Sequence, residues 1–158
     1  MSKEITEIEE ISVQVADESH LPYVDTILNT IADTKLLYDE LFGKLPSGQV
    51  ILLNTHFIPD DRLKKIETTK NLLKKGELVI LISTQLIEAG VDIDFPIVYR
   101  DFCPLPSLIQ SAGRCNRNKK IDFGQVYFFQ LKKIQGKPSS EIIYKKEAAE
   151  FLKFSKKE

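Results

Sequence analysis

The sequence predicts an α/β fold in which a mostly parallel sheet is covered by helices on both faces. Strand-like and helix-like segments alternate along the chain, which is typical of this class. The strands also read as unbroken apolar runs, for example at residues 50–53 and 78–82. Strands of this kind are buried on both faces, as in parallel sheets. A length of 158 residues fits one compact domain, and we expect residues 1–158 to form it.

The composition is that of a globular protein. Hydrophobic residues make up 42% of the chain and charged residues 28%, which supplies both a core and a polar surface. No apolar run approaches the ~20 residues that span a bilayer, so we expect no membrane segment. The acidic, polar N-terminus does not resemble a signal peptide. Cys103 and Cys115 form neither a metal-binding pattern nor a disulfide framework, which favours a reducing, cytoplasmic location.

The N-terminal part of the chain contains one ambiguous segment. Residues 1–10 are charged, and we expect them to be frayed. Residues 11–15 alternate apolar and polar side chains, which predicts a half-exposed edge strand. Between residues 24 and 42 apolar residues recur at helical spacing, so the residues alone allow one long helix or a strand followed by a helix.

Residues 49–76 predict a strand followed by a helix. A continuous apolar run indicates a buried strand over residues 49–54. Pro59 suits the first position of a helix, and the two aspartates behind it complement the helix dipole. Gly76 is predicted to end this helix. Its apolar stripe consists of Leu63, Ile66, Leu72 and Leu73.

The second half of the chain continues the alternation. Strands are predicted over residues 78–83, 97–100 and 124–130, a short helix over residues 106–113, and a last amphipathic helix from Ser140. The carboxyl ends of parallel strands share one edge of the sheet, where ligands bind in open α/β folds. Polar residues stand at the predicted strand ends: Asn29, Thr30, Asn54, Thr55, His56, Ser83, Thr84, Arg100 and Asp101.

Two segments carry the chemistry of the chain. Residues 83–95 read Ser-Thr-Gln-Leu-Ile-Glu-Ala-Gly-Val-Asp-Ile-Asp-Phe, and residues 110–117 read Gln-Ser-Ala-Gly-Arg-Cys-Asn-Arg. If the short helix continues through Gly113, spacings of four and three residues place three donor side chains on one face: Gln110, Arg114 and Arg117. Two guanidinium groups and an amide suit phosphate oxygens. The glycine lets another surface approach closely.

These segments resemble motifs V and VI of superfamily 2 helicases. The residues in these two segments are most similar to those of the CRISPR-associated helicase–nuclease of type I interference systems. The resemblance implies the second RecA-like domain of such a helicase, a P-loop NTPase-like three-layer sandwich around a mostly parallel sheet. It also favours a strand ending at residues 26–30, similar to motif IV, and a helix over residues 32–41 that Gly43 ends. The sequence contains no Gly-x-x-x-x-Gly-Lys-Ser/Thr P-loop, so the domain lacks a phosphate cradle of its own.

The resemblance implies a shared ATP site. ATP and Mg²⁺ would be held mainly by a partner RecA-like domain, and this chain would supply the catalytic residues Gln110, Arg114 and Arg117. The arginines would reach the γ-phosphate and stabilise transition-state charge, as arginine fingers do. From the residues alone, a surface arginine pair bridged to aspartate remains an alternative.

Three further residues are implied on the nucleotide side, namely Gly90, Asp92 and Gly113. Gly90 permits a tight turn, and Asp92 can accept a hydrogen bond from a ribose hydroxyl. An ordinary loop carboxylate is the alternative for Asp92.

The resemblance further implies that strand-end residues contact the backbone of single-stranded DNA. Hydroxyl groups and backbone amides suit this task, because they bond phosphate without reading sequence. The residues assigned to it are Thr30, His56, Ser83, Thr84 and Gln85. Capping of the following turn by the hydroxyls, and an ordinary strand-end role for His56, remain as alternatives.

The implied function is ATP-dependent translocation on single-stranded DNA in antiviral interference. The implied partners are the first RecA-like domain and a nuclease domain of the same protein, and an RNA-guided surveillance complex that recruits it. The isolated chain is expected not to hydrolyse ATP. Two alternatives stay open: an isolated RecA-like module that binds nucleic acid or protein, and half of another superfamily 2 helicase.

Charge is distributed unevenly, although the net charge is only −1. Residues 1–50 hold three Lys or Arg against ten Asp or Glu, whereas residues 114–158 hold twelve against five. The basic C-terminal part is either a solvated tail or a basic flank beside the phosphate-binding segment.

Overall fold

The computed structural model describes residues 4–6, 23–46, 48–85, 91–117 and 124–131. The elements in chain order are β1 (Glu4–Thr6), β2 (Tyr23–Leu28), α1 (Ile31–Phe42), β3 (Val50–Leu53), α2 (Pro59–Lys75), β4 (Val79–Thr84), β5 (Ile97–Asp101), α3 (Leu105–Ala112) and β6 (Gln125–Leu131). Two predicted elements lie outside the described residues, namely the strand at 11–15 and the helix from Ser140.

The strands form one sheet in the order β1-β6-β5-β2-β4-β3. Each neighbouring pair in this order is parallel, so the carboxyl ends of the strands lie at one edge, called the carboxyl edge below. Apolar residues of α1 pack against one face of the sheet, and those of α2 pack against the other. The predicted α/β class with a parallel sheet covered on both faces is confirmed.

Strand β1 differs from the prediction for the N-terminus. The charge of residues 1–10 predicts fraying, but residues 4–6 pair with β6, from Glu4 opposite Phe129 to Thr6 opposite Leu131. The prediction is wrong for these three residues, because the backbone hydrogen bonds offered by an open sheet edge do not depend on side-chain charge.

Two apolar clusters lie on opposite faces of the sheet. The first, under α1, includes Val24, Leu37, Leu41, Ile80 and Ile82. The second lies under α2 and the segment that precedes β5, and it includes Ile27, Leu53, Leu81, Ile93 and Phe95. Neighbours in one strand, such as Ile80 and Leu81, therefore enter opposite clusters, as successive side chains of a strand do.

Helix α1 begins where Thr30 caps it. Oγ1 of Thr30 accepts a hydrogen bond from the backbone N–H of Asp33 at 3.0 Å, and its hydroxyl donates to Oδ2 of Asp33 at 2.5 Å. Gly43 is the C-cap, as predicted. The interpretation of residues 24–42 as a strand followed by a helix is confirmed, because β2 ends at Leu28 and the cap starts a new element.

Helix α2 begins at Pro59 and ends before Gly76, as predicted. Gly76 has a φ of 72°, a left-handed conformation that glycine adopts without strain. One prediction for α2 is wrong: Leu63 is 64% exposed, whereas Thr69 is buried. Helical periodicity identifies which face of a helix is apolar, but it does not specify how far along the helix the covered surface extends.

Candidate functional site

Polar strand ends meet at the carboxyl edge, as the sequence predicts. The register places Arg100 of β5, Ile27 of β2, Ser83 of β4 and Leu53 of β3 in one row across the sheet. Side chains in one row of a parallel sheet project to the same face. Arg100 and Ser83 therefore share the face on which α2 packs.

Arg100 is fully buried at this edge. Its Nη1 donates to the carbonyl oxygen of Ile27 at 3.3 Å and to Oδ1 of Asn29 at 3.0 Å. The same nitrogen donates to the carbonyl oxygen of Asp101 at 3.0 Å, and Nη2 donates to Oε1 of Gln85 at 2.9 Å. One guanidinium thus joins the ends of three strands. Sequence reasoning placed Arg100 at the polar edge but assigned it no role, because burial of an arginine leaves no signal in a local pattern.

The end of β4 supplies one half-buried and two buried side chains. Ser83 is 2% exposed and Thr84 is 3% exposed. Oγ1 of Thr84 is buried without a hydrogen-bond partner within the described residues. Gln85 is half-buried and accepts the bond from Arg100. In this conformation, Gln85 is therefore the most accessible of the three assigned side chains in this segment.

Thr30 and His56 occupy two other strand ends. The hydroxyl of Thr30 is engaged in the cap of α1. The side chain of His56 is exposed, and its backbone N–H donates to Oδ1 of Asn54 at 3.0 Å. The side chain of Asn54 thereby shapes the turn that carries His56.

The segment after α3 turns away from helical geometry. Gly113 is the C-cap of α3, and Asn116 has a φ of 53° in the left-handed region. The helix does not continue past Gly113, so the condition for a shared helical face of Gln110, Arg114 and Arg117 is not met. Gln110 is exposed on α3, and both arginines lie beyond its end.

A backbone bridge explains this turn. Cys115 forms a parallel bridge with Phe95, and the N–H of Asn116 donates to the carbonyl oxygen of Phe95 at 3.0 Å. Burial, with a smaller contribution from Asp94, raises the pKa of the Cys115 thiol to about 11. Gly124 packs closely here, because a Cβ at this position would lie 2.5 Å from Sγ of Cys115. The turn is thus fixed by contacts distant in sequence, which spacing within the motif does not reveal.

The turn brings Arg117 to the two aspartates of the other motif segment. Its backbone N–H donates to Oδ1 of Asp94 at 2.7 Å, and its Nη1 donates to Oδ1 of Asp92 at 2.9 Å. The structure therefore joins two sequence-predicted site residues, Asp92 and Arg117, in an exposed ion pair. For Arg117, this is the bridge to aspartate that the sequence left as an alternative for the arginine pair.

Arg114 has a different environment. It is half-buried and lines a shallow depression on the face that α2 packs against, together with Asp25, Ser83, Val91 and Ile93. Arg114 thus lies near the end of β4, whereas Arg117 lies against the segment that follows residues 86–90. The two arginines are not equivalent in this conformation.

Two of the residues assigned to the nucleotide side are glycines, Gly90 and Gly113. Gly90 lies outside the described residues. A Cβ added at Gly113 would meet only the carbonyl oxygens of Ile109 and Gln110, at 3.4 and 3.5 Å, among the residues described. Nothing described within the domain therefore requires a glycine at position 113.

The part of the chain that the structure describes contains neither a candidate metal centre nor a candidate membrane span. That part holds no group of three or more His, Cys, Asp or Glu side chains arranged to hold a metal ion. None of its helices combines the length and apolar character needed to cross a bilayer.

A family profile and individual relatives of this chain indicate the same protein family. A protein-family profile described as CRISPR-associated nuclease/helicase Cas3, C-terminal, matches residues 23–120. CRISPR-associated nuclease/helicase Cas3 of Haloferax volcanii is 46% identical over 77 residues, which cover 47% of this chain and 8% of that protein. Its namesake from Streptococcus thermophilus is 32% identical over 103 residues, which cover 61% of this chain and 11% of that protein. The chain thus spans only a small part of these relatives.

Solved structures show the same fold. The structure of T. fusca Cas3 with AMPPNP superposes with a TM-score of 0.70 and 18% identity, over 91% of this chain and 19% of that one. The C-terminal domain of the DEAD-box protein Dbp5 superposes with a TM-score of 0.61 and 17% identity, over 83% of this chain and 75% of that one. At such identities the likeness establishes the fold, which is RecA-like, as predicted.

Proposed function

The chain belongs to the family of Cas3-like C-terminal domains, and we propose that it is the second RecA-like half of an ATP-dependent helicase that translocates on single-stranded DNA. The observation that carries the proposal is the meeting of the two motif segments, where Asp92 lies 2.9 Å from Arg117. A carboxylate that can accept from a ribose hydroxyl and a guanidinium that can donate to phosphate thus lie side by side, beside the amino ends of β5 and β6 where Cys115 bridges Phe95.

The proposed ATP site is incomplete within this chain. The sequence contains arginines for phosphate but no P-loop to cradle it. In this proposal a partner RecA-like domain supplies the P-loop and Mg²⁺, which neutralises charge on the phosphates. Gln110, Arg114 and Arg117 are assigned to the catalytic side, and Gly90, Asp92 and Gly113 to the nucleotide side. The absence of any described neighbour that requires glycine at 113 supports the approach of a surface from the partner domain.

Closure of the two domains is the proposed mechanical step. Arg114 and Arg117 approach the γ-phosphate when the domains close, and they stabilise the charge that spreads over its oxygens in the transition state. After hydrolysis the transition-state charge on the γ-phosphate oxygens is no longer present. The closed state then loses the stabilisation that the two arginines provide, so the domains reopen. The Arg117 side chain is exposed, and its ion pair with Asp92 is also exposed, so the guanidinium can leave Asp92 while the backbone N–H keeps its bond to Asp94.

The proposed DNA site lies along the ends of β2, β3 and β4. Thr30, His56, Ser83, Thr84 and Gln85 are assigned to it. Thr84 supports the assignment in one respect: a buried hydroxyl without a partner is uncommon in native proteins and is expected to find one in another conformation or with a ligand. Since Ser83 and Thr84 are buried, we expect DNA to meet Gln85, His56 and backbone groups first.

The proposed biological context is antiviral interference. The relatives are named CRISPR-associated nuclease/helicase, and this chain covers 8% and 11% of two of them. The first RecA-like domain and a nuclease domain would therefore lie in other parts of the same polypeptide or in a separate subunit. An RNA-guided surveillance complex would deliver the single-stranded DNA.

The test is reconstitution of the ATP site. ATP hydrolysis is measured for this chain, for the first RecA-like domain of the same helicase, and for the two joined, each with and without single-stranded DNA. We expect DNA-stimulated hydrolysis only from the joined domains, and its loss by at least ~10³-fold in Arg114→Ala. Hydrolysis by this chain alone would contradict a shared site. Binding of DNA by a joined protein that never hydrolyses ATP would favour the alternative of a binding module.

A further inference from the structure

We propose that Arg100 is a positioning residue that fixes the side-chain amide of Gln85 for contact with a phosphate group of single-stranded DNA. The proposal rests on the proposed function for the identity of the ligand. The observation from which the proposal starts is the hydrogen bond from Nη2 of Arg100 to Oε1 of Gln85. Neither the motif segments nor the catalytic assignment includes Arg100.

The burial of Arg100 requires an explanation. Arginine is rarely buried completely, because a guanidinium loses its hydration unless protein groups replace it. Arg100 is 0% exposed, and the acceptors of its terminal nitrogens are two backbone carbonyls and two side-chain amides. All four of these acceptors are neutral, so the hydrogen bonds of Arg100 within the described residues do not include a buried ion pair. The neighbours in its row, Ile27 and Ser83, show that the sheet itself accepts apolar or small residues there.

The contacts span strands that are not adjacent. Arg100 lies on β5, β2 is its neighbour, and β4 lies beyond β2. Nη1 reaches Asn29 after β2, while Nη2 reaches Gln85 after β4. A planar fork can serve both acceptors at once, whereas a lysine ammonium is a single point charge on a flexible stem. The geometry thus requires arginine in particular, and its result is a fixed distance between two loop ends.

The bond also fixes which way the amide of Gln85 points. A guanidinium only donates hydrogen bonds, so it must be met by Oε1 of Gln85 rather than by the amide nitrogen. The observed contact is to Oε1, at 2.9 Å. The NH₂ group, which has two donors, is thereby directed away from Arg100. Donors are what a phosphate oxygen requires, and the neighbouring hydroxyls of Ser83 and Thr84 are buried.

The first experiment replaces the donor of Gln85 and keeps its acceptor. Gln85→Glu still accepts from Arg100, now as a carboxylate, but it presents oxygen where the NH₂ group stood. We expect the thermal midpoint to stay the same or rise, and the affinity for a single-stranded oligonucleotide, measured by fluorescence anisotropy, to fall by at least ~10-fold. Asn71→Asp is the matched control, since it makes the same chemical change at an exposed position of α2. The control should lower affinity by no more than ~2-fold through its charge.

The second experiment asks whether Arg100 acts through Gln85. Arg100→Lys should weaken DNA binding by at least ~10-fold in the wild-type background but by less than ~2-fold in a Gln85→Leu background. Leu41→Ala, a change at a buried core position of α1, controls for lost stability and should leave affinity unchanged. Side-chain amide resonances of Gln85 provide a readout without DNA: a single protected orientation in the wild-type chain and averaging in Arg100→Lys.

Each contrary outcome is decisive. Equal losses of affinity in Gln85→Glu and Asn71→Asp would overturn the phosphate role of Gln85. Additive effects of Arg100→Lys and Gln85→Leu, or an averaged Gln85 amide in the wild-type chain, would overturn the positioning role of Arg100. If Arg100→Lys does not fold, Gln85→Glu and the wild-type amide resonances still decide the question. A fixed amide in a wild-type chain that binds no DNA would overturn the proposed function and reduce Arg100 to a structural residue.

Discussion

Arg117 and Asp92 form an ion pair of 2.9 Å between side chains that are 61% and 77% exposed. The proposed function assigns the same two residues to opposite ends of one nucleotide, Arg117 to the γ-phosphate and Asp92 to the ribose. They cannot remain paired while each serves its own end of the ligand. Since an exposed ion pair contributes only about 0–1 kcal/mol, separating them is a small cost for ATP binding.

The first prediction concerns stability. Asp92→Asn should lower the free energy of unfolding by less than about 1 kcal/mol, because the pair is exposed. Asp94→Ala should lower it by more, about 1–2 kcal/mol, since the Asp94 carboxylate accepts the backbone N–H of Arg117 and fixes the turn. Urea denaturation of both variants measures the difference. A larger loss in Asp92→Asn than in Asp94→Ala would show that the ion pair, not the backbone bond, holds the turn.

The second prediction concerns catalysis in the joined helicase. Arg117→Ala should lower kcat for DNA-stimulated ATP hydrolysis by at least ~10²-fold, or about 2.7 kcal/mol of transition-state stabilisation. Arg117→Lys should not restore kcat fully, because an ammonium cannot make a planar two-pronged contact. DNA affinity without nucleotide should barely change. Lys74→Ala, an exposed cation in the last turn of α2, is the control. A near-wild-type kcat in Arg117→Ala would leave Arg114 as the remaining finger candidate.

The third prediction compares two glycines. Gly124→Ala should destabilise the chain by about 1–3 kcal/mol, because the new Cβ would lie 2.5 Å from Sγ of Cys115 and 2.9 Å from Cβ of Asn116. Gly43→Ala should be neutral or stabilising by up to about 1 kcal/mol, since no atom lies within 4 Å of a Cβ there and its φ is −79°. Thermal unfolding of the two variants tests this. Equal thermal midpoints for the two variants would mean that the neighbours of Gly124 shift to accommodate a Cβ without loss of stability.

The fourth prediction is a pH dependence. The folded state raises the pKa of Cys115 from 9.0 to about 11, so it disfavours the thiolate. The stabilising contribution is therefore complete below pH 9 and is lost as pH rises from 9 towards 11. Denaturant titrations across this range should show a steeper decline for the wild-type chain than for Cys115→Ser. Parallel declines would indicate that Cys115 does not contribute to the pH dependence.

The fifth prediction concerns binding of single-stranded DNA by the isolated chain. Binding should be weak, independent of base sequence and strongly salt-sensitive, because the proposed contacts are to phosphate. Anisotropy titrations with two unrelated oligonucleotides at two salt concentrations provide the measurement. Affinity that depends on sequence but not on salt would indicate contacts to bases instead.

The sheet and its polar edge were predictable because they depend on local patterns. Apolar runs such as Val50–Leu53 identify buried parallel strands, and parallel strands necessarily place their carboxyl ends together. The cap at Thr30 and the left-handed Gly76 follow from the same kind of local signal. Each of these features is determined within a few residues of the chain.

The features that sequence reasoning missed depend on distant partners. Arg117 leaves helical geometry because Cys115 bridges to Phe95, twenty residues earlier in the sequence. Arg100 is buried because acceptors at Ile27, 73 residues away, and at Gln85 surround it. No periodicity in the sequence encodes such pairings, so the arrangement of the arginines could be resolved only in three dimensions.

The position of β2 in the sheet has a consequence for biosynthesis. β2 lies between β4 and β5, and the partner of Ile27 on the β5 side, Arg100, follows 73 residues later. A ribosome adding ~5–20 residues per second needs roughly 4–15 s to make that stretch. During this interval β2, which becomes a buried strand of the sheet, has no neighbour on that side, so chaperones have time to bind it before the domain closes.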